Sequence, residues 1–386
     1  MRLNIKELKE LMSKIDLAVE KSRLNPKSGW IELETCLNTL KFKVSNYDYY
    51  LESSINVDLE ENDSLHVTIL AETFVPLISK LDVETINVYE KLNSLIVETD
   101  QSSYTFPVIK ELGKTRSVDV IDFESTLQSD NYVSGIDLAS VAIVNTKGLV
   151  DAVFAKEIQQ FIYVDNKGAL TFTENIYVND FKYVDATKCP TEFKMLLNIT
   201  QAKLLGIFKN IEDVKIDFEQ KPTFSTQSTT TNKVCLSANN IKLILVAQNL
   251  DYTAKFPSIK LRALAENPEH THVVIDKKLL DKALSRLMVF DKKFDITVMD
   301  YSKLVFRKNE LELVSIKNKN FEKIPYVSSQ NVIEHEAIIR FADLVNQLKA
   351  ILSREIDISY GSRPALTING ESIKQVIPEI VINNKV

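Results

Sequence analysis

The chain has 386 residues, a net charge of −6, 45% apolar and 26% charged residues, which excludes a disordered chain and argues against a wholly basic nucleic-acid binder. It carries only 8 glycines, and none lies closer than nine residues to the next, so the glycine-spaced dinucleotide, phosphate-loop and nucleophile-elbow motifs are excluded.

In chain order one pattern recurs. A short alternating strand leads into an amphipathic helix, and extended segments follow. The first copy opens LNIKELKELMSKIDLAVEK, with Ile5, Leu8, Leu11, Met12, Ile15 and Val19 at helical spacing, and continues as WIELETCLNTLKFKVSNYDYYLESSINV. The second opens LHVTILAETFVPLISKLD and runs into two strands turned at Asn93 and Ser94. The third carries DLASVAIVNTKGLVDAVFAK, then FIYVDNKGALTF with a turn at Asp165–Gly168, then IYVNDFKYVD. The fourth starts FKMLLNITQAKLLGIFKNI, the fifth THVVIDKKLLDKALSRLMVF, the sixth EAIIRFADLVNQLKAIL; each is followed by alternating segments, the last ending IKQVIP.

The starts fall near residues 3, 65, 136, 193, 271 and 337. Six units pair into three domains, 1–115, 116–250 and 251–386, with boundaries at the polar runs KELGKTRSVD and AQNLDYTAKFPS. Each unit has one apolar helix face and one apolar sheet face, which must cover each other. The fold class is therefore α+β: three similar two-layer domains, helices on one face and antiparallel sheets on the other.

Three scattered cysteines, Cys36, Cys189 and Cys235, suit a reducing compartment without disulfides. His270 and His272 share strand spacing, but they read as surface histidines rather than ligands, so no metal is expected. No catalytic motif and no cofactor motif stand out, and no enzymatic activity is expected. No apolar run is long enough to span a membrane, and the charged N-terminus lacks a signal-peptide core; a cytoplasmic protein is expected. Lysine in excess over arginine, with abundant Ile and Asn, points to an AT-rich genome.

The helical segments 5–23, 71–82, 137–156, 201–215, 277–293 and 340–354 together carry +7, which leaves −13 for the rest. The fifth is the most basic, with Lys277, Lys278, Lys282, Arg286, Lys292 and Lys293. A basic helical layer on an acidic body suits contact with a polyanion through phosphates, without sequence readout.

The order and spacing of these segments resemble the bacterial-type DNA polymerase sliding clamp, the β processivity subunit. Similar stretches are LNIKELKELMSKIDLAVE, LHVTILAETFVPLISKLDVETINVYEKLNSLIVETDQSSYTFPVI, KFPSIKLRALAENPEHTHVVIDKKLLDKALSRLMVF and the ending QVIPEI. The resemblance implies the DNA clamp fold and a head-to-tail homodimer closing into a six-domain ring around duplex DNA. It implies no chemistry, a polymerase held by tethering, and an ATP-driven clamp loader as partner. With the charge count it makes Lys6, Lys9, Lys14, Lys209, Lys278, Lys282, Arg286, Arg340 and Lys349 candidates for facing DNA. It implies ring closure through Tyr104 and Phe106 at one end and Met288 and Val289 at the other. It also implies a partner-peptide groove involving Phe161, Pro257, Val376, Ile377 and Pro378, with Ile176 and Tyr177 where the family has Gly and His. Pro378 should end the last strand and leave Val376 and Ile377 beside open surface. Glu379, Ile380 and Val381 also depart from the family ending, so the groove is expected to prefer a different peptide, as in a phage or mobile-element clamp. The rival reading is a repeated-domain phage structural or assembly protein.

Overall fold

The computed structural model describes residues 1–19, 29–58, 64–109, 122–125, 130–148, 160–172, 177–222, 229–248, 250–266, 271–291, 302–316 and 319–380. Within them the repeat is present six times, each copy a strand, a helix and a three-stranded meander. The first is β1 (Arg2–Asn4), α1 (Ile5–Ala18), β2 (Trp30–Cys36), β3 (Thr39–Ser45) and β4 (Tyr49–Asn56). The second is β5 (His66–Leu70), α2 (Ala71–Lys80), β6 (Thr85–Lys91), β7 (Ser94–Glu98) and β8 (Ser103–Pro107). The third is β9 (Tyr132–Val133), α3 (Gly135–Gly148), β10 (Ile162–Asp165), β11 (Gly168–Phe172) and β12 (Val178–Lys182). The fourth is β13 (Lys194–Leu197), α4 (Ile199–Leu204), β14 (Val214–Pro222), β15 (Thr229–Ala238) and β16 (Ile241–Val246). Two short helices follow, α5 (Leu250–Lys255) and α6 (Ser258–Glu266). The fifth copy is β17 (Thr271–Asp276), α7 (Lys277–Asp291), β18 (Ser302–Phe306), β19 (Glu310–Ser315) and β20 (Phe321–Pro325). After β21 (Ser328–Gln330), the sixth is β22 (His335–Ile339), α8 (Phe341–Leu348), β23 (Glu355–Tyr360), β24 (Ala365–Asn369) and β25 (Ile373–Pro378).

Local sequence accounts for most of these elements. Asn4 caps α1 by accepting from the Lys6 and Glu7 amides at 2.9 and 3.3 Å, and the helix buries Leu8, Leu11, Met12 and Ile15. The Asp165–Gly168 turn is closed by Asp165 Oδ1, which accepts from the Lys167 and Gly168 amides. Gly168 has φ +149°, and a Cβ there would collide with the Phe181 carbonyl. Two readings change. The fourth helical segment ends early: α4 tightens into a 3₁₀ turn, Leu205–Phe208, and Val214 and Lys215 belong to β14. The stretch 247–258, read as a boundary, contains α5, which stops before Pro257 because the residue preceding proline disfavours the helical region.

The chain divides into two compact units, Met1–Ala139 with Thr187–Ala254, and Ser140–Ala186 with Lys255–Val386. In the first unit one sheet runs β5-β2-β3-β4-β16-β15-β14-β9 and another β1-β6-β7-β8. In the second, β10-β11-β12-β25-β24-β23-β17-β21 lie side by side, and a separate sheet runs β20-β19-β18-β22. The pairings are antiparallel.

Two rules organise the ladders. First strands cross to a neighbouring copy: β1 pairs with β6 and β5 with β2, β9 with β14, β17 with β23 and β22 with β18. Last strands join distant copies: β4 pairs with β16, and β12 with β25. The last strands of the second and fifth copies, β8 and β20, are left as sheet edges.

Candidate functional site

In the first unit, Lys6 is exposed and Lys9 half-buried on α1, and neither carries an ion pair among the described residues. Lys14 pairs with Glu10 at 3.2 Å, and Lys209 is exposed just after the 3₁₀ turn. In the second unit, Lys278 and Lys282 are exposed one turn apart on α7 with no ion pair among the described residues. Arg286, one turn further, is held by Glu322 of β20, with Nε donating to Oε1 at 2.7 Å and Nη2 to Oε2 at 2.9 Å. Arg340 is the half-buried N-cap residue of α8, and Lys349, its C-cap, donates to Asn346 Oδ1 at 3.1 Å. Lys292, Lys293 and His270 lie outside the described residues.

The helix bounds revise the charge argument. Within the observed spans of α1, α2, α3, α4, α7 and α8 the net charge is +2, against +7 over the longer segments. Among the described residues the difference is carried by Arg340, Lys349 and Arg354, which flank α8.

The edge strands β8 and β20 share a burial pattern. In β8, Tyr104 is half-buried and Phe106 buried; in β20, Glu322 is half-buried and Ile324 buried. Phe106 is 7% exposed and meets Phe74 of α2 edge-on at 5.3 Å, so it is a core residue of its own copy. The end of α7, which packs against β20, brings half-buried Met288 beside Val289 and Phe290, 64% and 57% exposed. Phe321 of β20 is 57% exposed. The sequence reading named β8 and the end of α7 for ring closure but did not name β20, whose signal is the alternation in FEKIP.

The structure divides the groove candidates. Tyr177, Val376 and Ile377 are 8%, 2% and 0% exposed, so Val376 and Ile377 do not stand beside open surface. Successive strand residues face opposite sides of the sheet. On the α8 side Tyr177 donates to Asp343 Oδ2 at 2.9 Å, and burial followed by the Asp343 carboxylate pushes its hydroxyl pKa up. Ile377 shares this side with Gln375, whose Nε2 donates to Asn179 Oδ1 and the Gln347 carbonyl, each at 2.9 Å. Val376 lies on the other side, where it pairs with Val178, which pairs in turn with Phe172. There Phe256 stacks on Tyr163 at 4.6 Å and meets Phe172 at 5.5 Å, with half-buried Pro257 next in the chain. Phe161 and Pro378 are half-buried at strand ends, and Ile176 lies outside the described residues. After Pro378 the chain turns to β22: the Ile380 amide bonds the Ile338 carbonyl, and Glu379 meets His335 Nε2 at 2.8 Å.

A cluster that the sequence did not reveal holds α6 on this strip. Arg262 donates from Nη1 and Nη2 to Asp165 at 2.6 and 2.9 Å, and its Nε lies 3.5 Å from Asp180 Oδ1. Asp180 is fully buried. Burial pushes its carboxyl pKa up, with Arg262 pulling the other way. Arg363 adds a second tie, donating to the Leu264 carbonyl and to Thr367 Oγ1 at 2.8 Å each.

Among the described residues no group of three or more His, Cys, Asp and Glu is placed to hold a metal, and no helix is long and apolar enough to cross a membrane. No protein-family model matches the chain. The β sliding clamp of Mycoplasma genitalium is 21% identical over 394 aligned residues, covering 97% of this chain and 98% of that protein. The β subunit of DNA polymerase from Streptococcus pyogenes superposes with a TM-score of 0.73 at 16% identity, covering 99% of both chains. The DNA polymerase III β subunit of Thermotoga maritima gives 0.73 at 12% identity, again over 99% of both. The DNA polymerase sliding clamp of Bacillus subtilis gives 0.71 at 14%, over 99% of this chain and 98% of that one. The resemblance drawn from the sequence therefore holds along the whole chain, and the α+β fold is that of these clamps, at identities that mark a divergent version.

Proposed function

We propose that this chain is a DNA sliding clamp: a non-enzymatic ring of two copies that encircles duplex DNA and tethers a replicative polymerase, placed there by a clamp loader. The observation that carries the reading is the likeness to sliding clamps over the full length of both chains. The rival, a structural or assembly protein, gains no support from it.

The strand logic supports ring closure. Copies one and four, and copies three and six, are joined through their last strands, and β8 and β20 remain unmatched. The same antiparallel joint between β8 of one chain and β20 of a second, made twice, closes a head-to-tail pair in which every last strand has a partner. The exchange of first strands supports three domains of two copies each, near 1–115, 116–250 and 251–386. Lys6, Lys9, Lys209, Lys278 and Lys282 are the side chains we assign to phosphate contact, weak and indifferent to sequence. The polymerase peptide is assigned to the α6 side of the strip, beside Pro257 and Phe161.

The test is retention on DNA. Loaded protein should stay on closed circular DNA and run off the same DNA once it is cut. Equal loss from circular and linear DNA would overturn the reading.

A further inference from the structure

In both joints within the chain, a polar side chain of the adjacent helix hydrogen-bonds a residue at the joint. In the first unit Gln201 of α4 donates to the Asp48 carbonyl at 2.9 Å and the Val246 carbonyl at 2.6 Å, one on each side of the β4–β16 joint. In the second, Asp343 of α8 accepts from Tyr177 at the start of β12, and Gln375 ties β25 to Asn179 of β12 and to the Gln347 carbonyl of α8. At the free edge β20 half of such a device is in place. Arg286 of α7 grips Glu322 with two hydrogen bonds.

Glu322 lies opposite Leu313, and Ile324 opposite Leu311, both fully buried, so Glu322 is on the helix side of its sheet. Tyr104 of β8 is likewise on the helix side, opposite buried Val97, with Phe106 opposite Leu95. In the β4–β16 joint, helix-side residues meet each other, as Leu51 meets Leu243. The same matching puts Tyr104 of a second chain on the side of the sheet where Glu322 and Arg286 lie.

We propose that Arg286 and Glu322 belong to the joint between copies, where they receive Tyr104 of a second copy, and that Arg286 does not serve the duplex. The occupant of the edge is thus a second copy of this chain; the inference rests on the ring reading above. The phenol offers Glu322 a hydroxyl donor, and its ring face offers the guanidinium a stacking surface. Exposed Val289 and Phe290 at the end of α7 supply an apolar surround on the helix side.

The experiment compares Arg286→Ala, Glu322→Ala and Tyr104→Ala with the double variant Lys278→Ala/Lys282→Ala. It measures the dimer dissociation constant by sedimentation and the salt dependence of DNA retention. The three single variants should each raise the dissociation constant at least about tenfold. Arg286→Ala combined with Tyr104→Ala should cost less than the two effects added. The lysine pair should leave the dimer constant unchanged and flatten the salt slope. An Arg286→Ala variant that dimerises normally and flattens the salt slope overturns the assignment while leaving the ring intact. A native chain that stays monomeric at every concentration overturns the ring reading and this joint with it.

Discussion

At the residue scale the most consequential side chain is Arg262. It pairs with both Asp165 and Asp180, which are buried. Removing one member of a buried ionic cluster leaves uncompensated charge and costs about 3–5 kcal/mol. In Arg262→Ala the burial that already raises Asp180 loses its main opposition, with Lys182 left to act. Its folded pKa then stands further above the unfolded value, so the folded state binds more protons between the two. Stability falls as pH rises through that window and returns as pH drops below it. Urea unfolding should therefore show a deficit against the native chain that is larger at neutral pH than in mild acid. A deficit independent of pH would assign the loss to packing alone.

At the element scale, α1 illustrates how much a helix owes to its cap and its buried face. Asn4→Ala removes the acceptor of two amides and should cost about 1 kcal/mol, seen as a lower melting temperature. Lys6→Glu, on the exposed face, should change stability by less than about 0.5 kcal/mol. The edge strand β8 separates core from interface in the same way. Phe106→Asp places a carboxylate against Phe74 and should unfold its copy, read as lost ellipticity and a broad transition. Phe321→Asp, on the exposed side of β20, should leave a folded monomer near 44 kDa. A folded Phe106→Asp monomer would show that β8 gives its aromatic ring to the joint rather than to its own core.

At the scale of the whole molecule the lysines and the joint make different demands. Lys278→Glu with Lys282→Glu replaces two exposed cations on one face of α7 and should weaken loading on every template, more at low salt than at high. Preference for circular over linear DNA should persist, because a closed tether does not depend on any single contact. A sequence-selective loss would contradict phosphate contact.

The six-copy repeat and the helix faces were legible in the sequence, because each depends on a period within about twenty residues, whereas the role of β8 as an edge came only from the resemblance. Ile5, Leu8, Leu11, Met12 and Ile15 announce their own burial by spacing, and Asp165 and Gly168 announce their turn. The joint partners were not legible. Val178 meets Val376, and Tyr49 meets Leu245, across long intervals that no local period encodes. Nor was the sorting of neighbours: Val376 and Ile377 share an apolar character, but strand alternation sends one under α6 and the other towards α8. Arg286 read as one more cation on a basic helix until β20 delivered Glu322 to it. Nothing local marks Arg262, on which two aspartates from different strands converge only in the fold. Local periodicity thus determined the repeated strands and helices, while long-range pairing decided which charges are spoken for, which apolar residues are core, and that the last strands β8 and β20 lie at sheet edges.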